Sequence, residues 1–406
     1  MIELDHNATT KPTPGVIATV VDALENRWHN PSSVHRAGQA ARALVELARA
    51  DVAKLLCVPP RQLVFTSCGT ESINLAVRGW LAAASPASRP LLLTSRVEHA
   101  AVRDLADDLS PPAKESAPPA AALCEVRWLA IDANGVVDGE SLARELAAAA
   151  QSTPPRPCMV VVQWANNETG AIQPIDAIAQ ACRAHRAMFL CDATQWVGKM
   201  PLHTEPPCDL LACSAHKFHG PKGVGILWSS SRARWKPRQL GTQELGRRGG
   251  TENVPGIAGA GVAAREAIEW LADPAARERL AAWRDAFERD IIARVNAIIP
   301  AHWPRAVINA TGAQRLWNTT NIAFPRLEAE AILLALSERG VNASAGAACS
   351  SGSLDPSPVL LAMGIDPELA HGSVRFSMSR DTTQEELTRA ADIVVDVVTR
   401  LVASMP

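Results

Sequence analysis

The chain has 406 residues, 47% of them hydrophobic, and a formal net charge of −2. That length exceeds one small core and predicts two domains, with the composition of an ordinary globular protein. No basic run marks a nucleic-acid footprint and no apolar stretch reaches membrane-spanning length, so neither nucleic acid nor membrane is an expected partner. The nine cysteines include no C-x-x-C pair, which argues against a disulfide framework or a structural zinc site. Free thiols fit a reducing compartment, and Met1 to Asp5 show no basic region before an apolar one, so the expected location is cytoplasmic. The chain holds no tyrosine, which removes that side chain as a catalytic acid.

In chain order, Pro12 and Pro14 introduce a helix through Val16 to Leu24, and the turn Asn30 to Ser33 a long helix ending near Leu56. Val45, Ala48, Val52 and Leu55 would share its buried face. Leu63 to Thr66 reads as a buried strand. It runs through the small residues Ser67 to Ser72 into a helix over Ile73 to Leu81. Such a turn leaves backbone N–H groups at a helix N-terminus, where they and the helix dipole can hold a phosphate, although many strand-to-helix turns carry Gly-Thr for geometry alone. Leu91 to Thr94 is the next strand, and Glu98-His99 opens another helix, where His99 alone could be a cap or a core histidine. Ser110 to Ala122, rich in Pro and Ala, reads as a surface loop. Val126 to Ile131 and Gly135 to Val137 look like edge elements, followed by a helix over Leu142 to Ala150.

Cys158 to Gln163 is a β-branched strand that empties into the polar cluster Trp164 to Gly170. Open α/β sheets bind ligands at such carboxyl ends. A helix over Ile175 to His185 and a strand over Met188 to Asp192 complete a βαβ unit. The repeated alternation predicts an α/β fold, a mainly parallel sheet with helices on both faces. Strands near Leu210 to Cys213 and Val224 to Trp228 then flank Ser214-Ala215-His216-Lys217 and a glycine-rich loop. Gly246 to Asn253 could supply a second phosphate contact, or its arginines simple surface charge. Near Pro255 the pattern changes. Long Ala- and Arg-rich helices broken at Pro274 lead to strands around Asn321 to Phe324 and Ser373 to Ser379, and helices over Ala329 to Leu336 and Glu385 to Val402. Residues 1–255 are therefore expected to form a large domain, with the first dozen or so packing on the other, and 256–406 a smaller α/β domain.

A lysine at the end of a buried strand suits a Schiff base, because desolvation disfavours the charged amine and makes it nucleophilic. Asp192 ends another apolar strand, with Gln195 three residues on. Pyridoxal phosphate needs a lysine for its aldehyde and an acidic partner for its pyridinium nitrogen, and Lys217 with Asp192 meets that need. A second centre lies at Ala343 to Ser353, where nearly every residue is small. No bulky neighbours exist there to bury Cys349, and a mobile, exposed loop would suit a nucleophile that travels to a substrate. Arg375, on the strand that follows, can clamp a carboxylate with two parallel hydrogen bonds.

Several segments occur together in one order: Asp5-x-Asn7-Ala8-Thr9-Thr10, Gly69-Thr70-Glu71-Ser72, Glu98-His99, Ala165-Asn166-Asn167-Glu168-Thr169-Gly170 and Ser214-Ala215-His216-Lys217. Gly249-x-Thr251-Glu252-Asn253, Ala348-Cys349-Ser350-Ser351-Gly352-Ser353 and Arg375-Phe376-Ser377 follow. Over essentially its whole length the chain closely resembles the cysteine desulfurases of the NifS/IscS type, among the class V aminotransferase-like enzymes that use pyridoxal phosphate. The resemblance implies fold type I, with a seven-stranded type of sheet, and an obligate homodimer with active sites at the subunit interface. Lys217 would carry the cofactor and Asp192 would face its pyridinium nitrogen. His99 would stack on the ring and shuttle protons, and Asn167 and Gln195 would bond the phenolic oxygen and nearby groups. Gly69, Thr70, Ser214 and His216 would hold the phosphate, with Thr251 reaching in from the other subunit. Arg375, with Asn167, would bind the substrate carboxylate. Cys349 would take the sulfur of L-cysteine as a persulfide, leaving alanine, and pass it to an iron–sulfur scaffold or another acceptor protein. The same cysteine is a candidate transient ligand of an iron–sulfur cluster.

The sequence departs from that pattern at two places. Many relatives have Gly or Ala where Cys68 stands and Asn where His6 stands. Cys68 reads as a small spacer, with sulfur acceptance or oxidation as the alternative. The Cys349 loop has the long form of the NifS/IscS type, which favours direct sulfur delivery. Three other readings compete: a selenocysteine lyase or other class V lyase, a non-catalytic component of sulfur-cluster assembly, and a generic doubly wound domain. The last does not explain why Lys217, Asp192 and Cys349 arrive together.

Overall fold

The computed structural model describes residues 1–84, 89–110, 123–345 and 355–405. Most of the expected loop 110–122, and Cys349 with its neighbours, lie outside the described residues.

The centre is a seven-stranded sheet in the order Leu63–Thr66, Gly225–Ser229, Leu210–Ser214, Met188–Asp192, Cys158–Gln163, Leu91–Thr94 and Glu125–Trp128. The last five pair in parallel, whereas Gly225–Ser229 runs antiparallel to both its neighbours. The mainly parallel α/β sheet expected from the alternation is therefore present, with one reversed strand. That reversal follows from the short loop after Lys217, since a parallel return needs a crossover of a dozen or more residues. The inner strands are buried on every residue apart from Met188, as a sheet covered on both faces requires.

On one side of the sheet Val160 packs in a cluster with Val45, Val52 and Leu56, and on the other Met159 and Leu190 pack in one with Ile73 and Leu105. The long helix Arg36–Leu56 begins at His35, whose Nδ1 accepts from Gly38 N, rather than at the Asn30 turn. The helix Val254–Leu271 lies beyond the expected boundary at 255, yet it packs against Pro14–Asn26 and Arg36–Leu56 and buries Ile257, Ala260 and Ala264 in the first cluster. Small residues let these backbones approach closely. At Gly261 an added Cβ would stand 2.7 Å from the Ala48 Cα.

A second apolar cluster joins helices Pro274–Ile298, Ala329–Glu338 and Gln384–Ser404 to a four-stranded antiparallel sheet that includes Thr319–Ala323 and Ser373–Ser377. Ile2 and Leu4 belong to this cluster. The two-residue strand Ile2–Glu3 pairs in parallel with Val341–Asn342, and His6 N donates to Ser377 O. Pairing this brief leaves no periodicity, and the sequence gives no strand signal there. The chain then passes from the second cluster to the carboxyl edge of the large sheet within four residues, Asp5 to Ala8.

Candidate active site

The carboxyl ends of the parallel strands, the arm at Asn7 and Ala8, and the strand carrying Arg375 enclose a cavity of about 520 Å3. Among the residues expected at a site, Gly69, Thr70, His99, Asn167, Asp192, Gln195, Ser214, His216, Lys217 and Arg375 line it. Thr251 is exposed and does not. Cys349 lies outside the described residues.

Lys217 follows the buried strand Leu210–Ser214 through a single 3-10 turn, so its position is set by the sheet. Its Nζ donates to Asn7 O at 2.6 Å and Ala8 O at 2.8 Å. His216, beside it, bonds through Nδ1 to Thr9 Oγ1, and its backbone oxygen accepts from Thr10 N. Burial, with Lys217, Lys222 and Lys199 nearby, pushes the His216 pKa down to about 4, so the imidazole is neutral at physiological pH. Asp192 ends its strand buried, with Oδ1 accepting from Thr194 N. His99 caps the helix Ala100–Leu109, Nδ1 accepting from Ala101 N, which leaves Nε2 as the ring nitrogen that carries a proton. It is both the cap and a wall of the cavity.

The phosphate end was expected at the turn before Ile73, and the helix there begins at Gly69. Cys68 is its N-cap, its sulfur accepting from Glu71 N at 3.5 Å. Beyond being a small spacer, this cysteine terminates the helix. Gly69 N donates to Ser214 Oγ at 2.7 Å, and an added Cβ on Gly69 would stand 2.9 Å from that oxygen and 3.2 Å from Thr194 Oγ1. Only glycine lets the helix terminus come this close to the lysine strand. The helix N-terminus at Thr70, which lines the cavity beside the Ser214 hydroxyl, offers a cradle for an anion.

These residues fit pyridoxal phosphate. The cradle would take a phosphate, Asp192 would offer a carboxylate to a ring nitrogen, and Lys217 an amine to an aldehyde. Asn167 Oδ1 is buried without a hydrogen-bond partner, so the cavity wall retains unmet polar capacity.

Arg375 is only 2% exposed, and the arm holds it. Nη2 pairs with Asp5 Oδ1 at 2.6 Å, Nη1 donates to Asn167 O, and Nε has no partner. His6, a departure from the family pattern, is buried within the arm but does not line the cavity. Burial, with His219 and Lys199 near, pushes its pKa down to about 4.

Sequence reasoning assigned no role to several residues found here. Asn7 sits in one of the motifs, yet its contacts come from five distant segments, at Asn167, Gln195 and Lys199, Lys217, Thr319, and Ser377. Glu168 lines the cavity and accepts from Ser357 Oγ, and burial raises its pKa. Arg103 shares a helical face with His99 and keeps Nη1 buried and unpartnered. Lys199, between Gly198 and Met200, carries no local signal at all.

Glu98, fully buried against the same cavity, accepts from Ser95 Oγ and Gln163 N. Burial pushes its pKa from 4.5 to about 8, with Asp192 adding to the rise. A folded-state pKa above the unfolded one gives stability that is complete below about pH 4.5 and is lost as pH rises through about 8. Glu98→Gln keeps both hydrogen bonds, its oxygen accepting from Gln163 N and its amide donating to Ser95 Oγ. Urea unfolding of the cofactor-free chain at pH 6 and 9 should show the variant gaining on the wild type by on the order of 2 kcal/mol between the two. An equal pH response in both proteins would mean that Glu98 does not titrate.

Among the described residues, no group of three His, Cys, Asp or Glu is arranged to hold a metal ion, and no helix is long and apolar enough to cross a membrane. The family description Aminotransferase class-V matches residues 2–389. A cysteine desulfurase of a Nostoc species is 39% identical, covering 100% of this chain and 95% of its own. A solved NifS-like protein superposes with a TM-score of 0.84 at 30% identity, over 98% of this chain and 99% of that one. SspA, solved in complex with cysteine, follows at 0.75 and 26%, over 93% and 99%. The strand-end lysine and aspartate, the glycine cradle and this full-length similarity agree, and the chain belongs to the class V aminotransferase family.

Proposed function

We propose that this protein is a pyridoxal-phosphate-dependent cysteine desulfurase, which converts L-cysteine to L-alanine and takes the sulfur onto Cys349. The observation that carries this reading is a single cavity in which Lys217, Asp192, His99 and Arg375 meet from four separate segments. When bound there, pyridoxal phosphate supplies the electron sink for carbanions at the substrate α and β carbons. The chain's own residues do the rest. Lys217 offers its amine from a fixed position beneath two backbone carbonyls. Ser214 and the helix terminus at Gly69 would hold the phosphate, and Asp192 would face the ring nitrogen. Arg375 draws the substrate carboxylate to the side of the cavity nearest the arm. His99 holds and moves a proton at Nε2. Cys349 Sγ forms a bond to the substrate sulfur as the Cβ–S bond breaks. That electron pair stays on Cβ, which takes up a proton to give alanine. An acceptor protein, such as an iron–sulfur scaffold, would then take the sulfur.

A homodimer completes the reading. Thr251 is exposed away from the cavity, as a residue serving a partner's phosphate would be. The helix Pro14–Asn26 also exposes Ile17, Val21 and Leu24 along one face, with Trp28 beyond them. A second copy of the chain would cover this stripe.

The test mixes cofactor-loaded protein with L-cysteine and measures alanine and protein-bound sulfane sulfur, wild type beside Cys349→Ala. Both products should form in the wild type and fall at least about a hundredfold in the variant. Equal alanine from both proteins would remove Cys349 as the nucleophile and point to a lyase for another substrate.

A further inference from the structure

Lys199 is buried, yet among the described residues no carboxylate pairs with it. Its Nζ donates to Asn7 Oδ1 at 2.7 Å and to Gln195 Oε1, while Trp317 Nε1 donates to its backbone oxygen. Burial, with Lys217 and Arg375 close by, holds the amine well below the usual lysine range. A buried amine is costly to keep, and its two bonds show what it is kept for.

A side-chain amide has an acceptor on one side and donors on the other. A lysine amine facing two amide oxygens therefore decides which way both amides point. With its oxygen on Lys199, Gln195 must aim Nε2 at Asn7 O, where it bonds at 3.1 Å. With its oxygen on Lys199 and Asn318 Nδ2, Asn7 must aim Nδ2 at Asn167 O and Thr319 Oγ1. The backbone oxygen of Asn7 then receives Lys217 Nζ. Asn7 N donates to Ser377 Oγ. The arm, the lysine strand, the Asn167 loop and the antiparallel sheet are thus locked to one another through one asparagine, and Lys199 sets its orientation.

We propose that Lys199 is a positioning residue: by orienting the Gln195 and Asn7 amides, it places the Asn7 carbonyl that holds the Lys217 amine. This rests on the reading of Lys217 as the cofactor lysine. A purely structural lysine would support the packing of the arm and nothing more. The positioning role also requires that its removal change the reactivity of an amine it does not touch.

Lys199→Met matches the volume without the donor, and Lys199→Gln keeps one donor on a shorter stem. Two measurements apply to the full-length protein. The first is competitive acetylation of Lys217 in the cofactor-free chain, read by peptide mass spectrometry. The second, after pyridoxal phosphate is added, is the midpoint pH of the visible absorbance band, with kcat and KM for L-cysteine. Lys199→Met should change Lys217 labelling at least about fivefold and lower kcat about tenfold with KM within about twofold, and Lys199→Gln should fall between it and the wild type. The absorbance midpoint should move by half a pH unit or more. Wild-type labelling, midpoint and kcat alongside a lowered Tm would overturn the proposal in favour of a packing role. Failure of both variants to fold would overturn it in the same way. A wild type that takes up no pyridoxal phosphate would sink the proposed activity, while the labelling comparison would still decide the role of Lys199.

Discussion

Lys217→Ala is expected to leave no pyridoxal phosphate attached to the polypeptide after borohydride reduction, and to lower cysteine turnover by about a thousandfold or more. Lys217 is the one lysine that lines the cavity among the described residues. Its Nζ is fixed by two arm carbonyls, so no neighbouring amine can take over its position. The Gly69 cradle and Asp192 remain in the variant, so the cofactor should still bind reversibly and be removed by dialysis. Intact mass after reduction, read beside alanine formation, checks this. A reduced adduct appearing on Lys199 instead would mean that the arm is mobile enough to exchange the two amines. Full turnover by the variant would remove Lys217 from the chemistry.

The largest effect on stability is expected at the outer edge of the large sheet. Leu63–Thr66 pairs with only one strand, and such an edge exposes main-chain donors and acceptors. Side chains close it. Glu244 Oε2 accepts from Phe65 N at 2.7 Å, while Arg247 Nη2 and Arg49 Nη1 donate to Leu63 O. Arg49 and Glu244 form a two-pronged pair at 2.7 and 2.8 Å, both buried, and Arg49 lies over the Phe65 ring. Glu244 and Leu245 both have positive φ, at 49° and 58°. That left-handed pair holds the carboxylate at the edge despite the backbone strain. Arg49→Ala would strand a buried carboxylate, at a cost of about 3–5 kcal/mol. Removing both charges, as in Arg49→Met with Glu244→Met, should cost less than Arg49→Ala alone, because no uncompensated charge remains. Denaturant unfolding of the two variants makes the comparison. A double variant at least as destabilised as the single one would mean that edge closure, not charge pairing, dominates. Because this edge strand leads into the Gly69 turn, Arg49→Ala should also weaken cofactor binding.

Much of the large sheet was legible because its strands are buried on both faces and read as unbroken apolar runs. Leu63–Thr66, Leu91–Thr94, Cys158–Gln163 and Met188–Asp192 have the expected limits. The site residues at their carboxyl ends were legible for a related reason, since a polar residue that ends an apolar run has few structural excuses. Lys217 and Asp192 stand out on that ground, as does the polar cluster that holds Asn167, whereas His99 alone could have been a cap or a core histidine. The pattern suggested roles for Lys217 and Asp192, and the resemblance alone supplied those expected of Asn167 and His99.

Other features left no such trace. Asn7 and Lys199 sit in segments with no periodicity, and their importance lies in bonds to residues more than 150 positions away. The partner of Arg375 is Asp5, 370 residues distant, so the arm's part in the site could not be read from either segment. The helix Val254–Leu271 follows a change of pattern, yet packing assigns it to the first cluster. Its small residues fit the helices Pro14–Asn26 and Arg36–Leu56, and no local rule records that fit.

The sequence by itself determined the α/β class, the order of the main strands and helices, and the chemical groups at the strand ends. Those depend on local burial and turn chemistry, which are written residue by residue. Only the tertiary structure decided which groups meet, how the arm locks Lys217 and Arg375 in place, and that Glu98 and Lys199 are buried beside them. Hydrogen bonds and desolvation depend on what lies within a few ångströms in space, and the order of residues along the chain does not fix that distance.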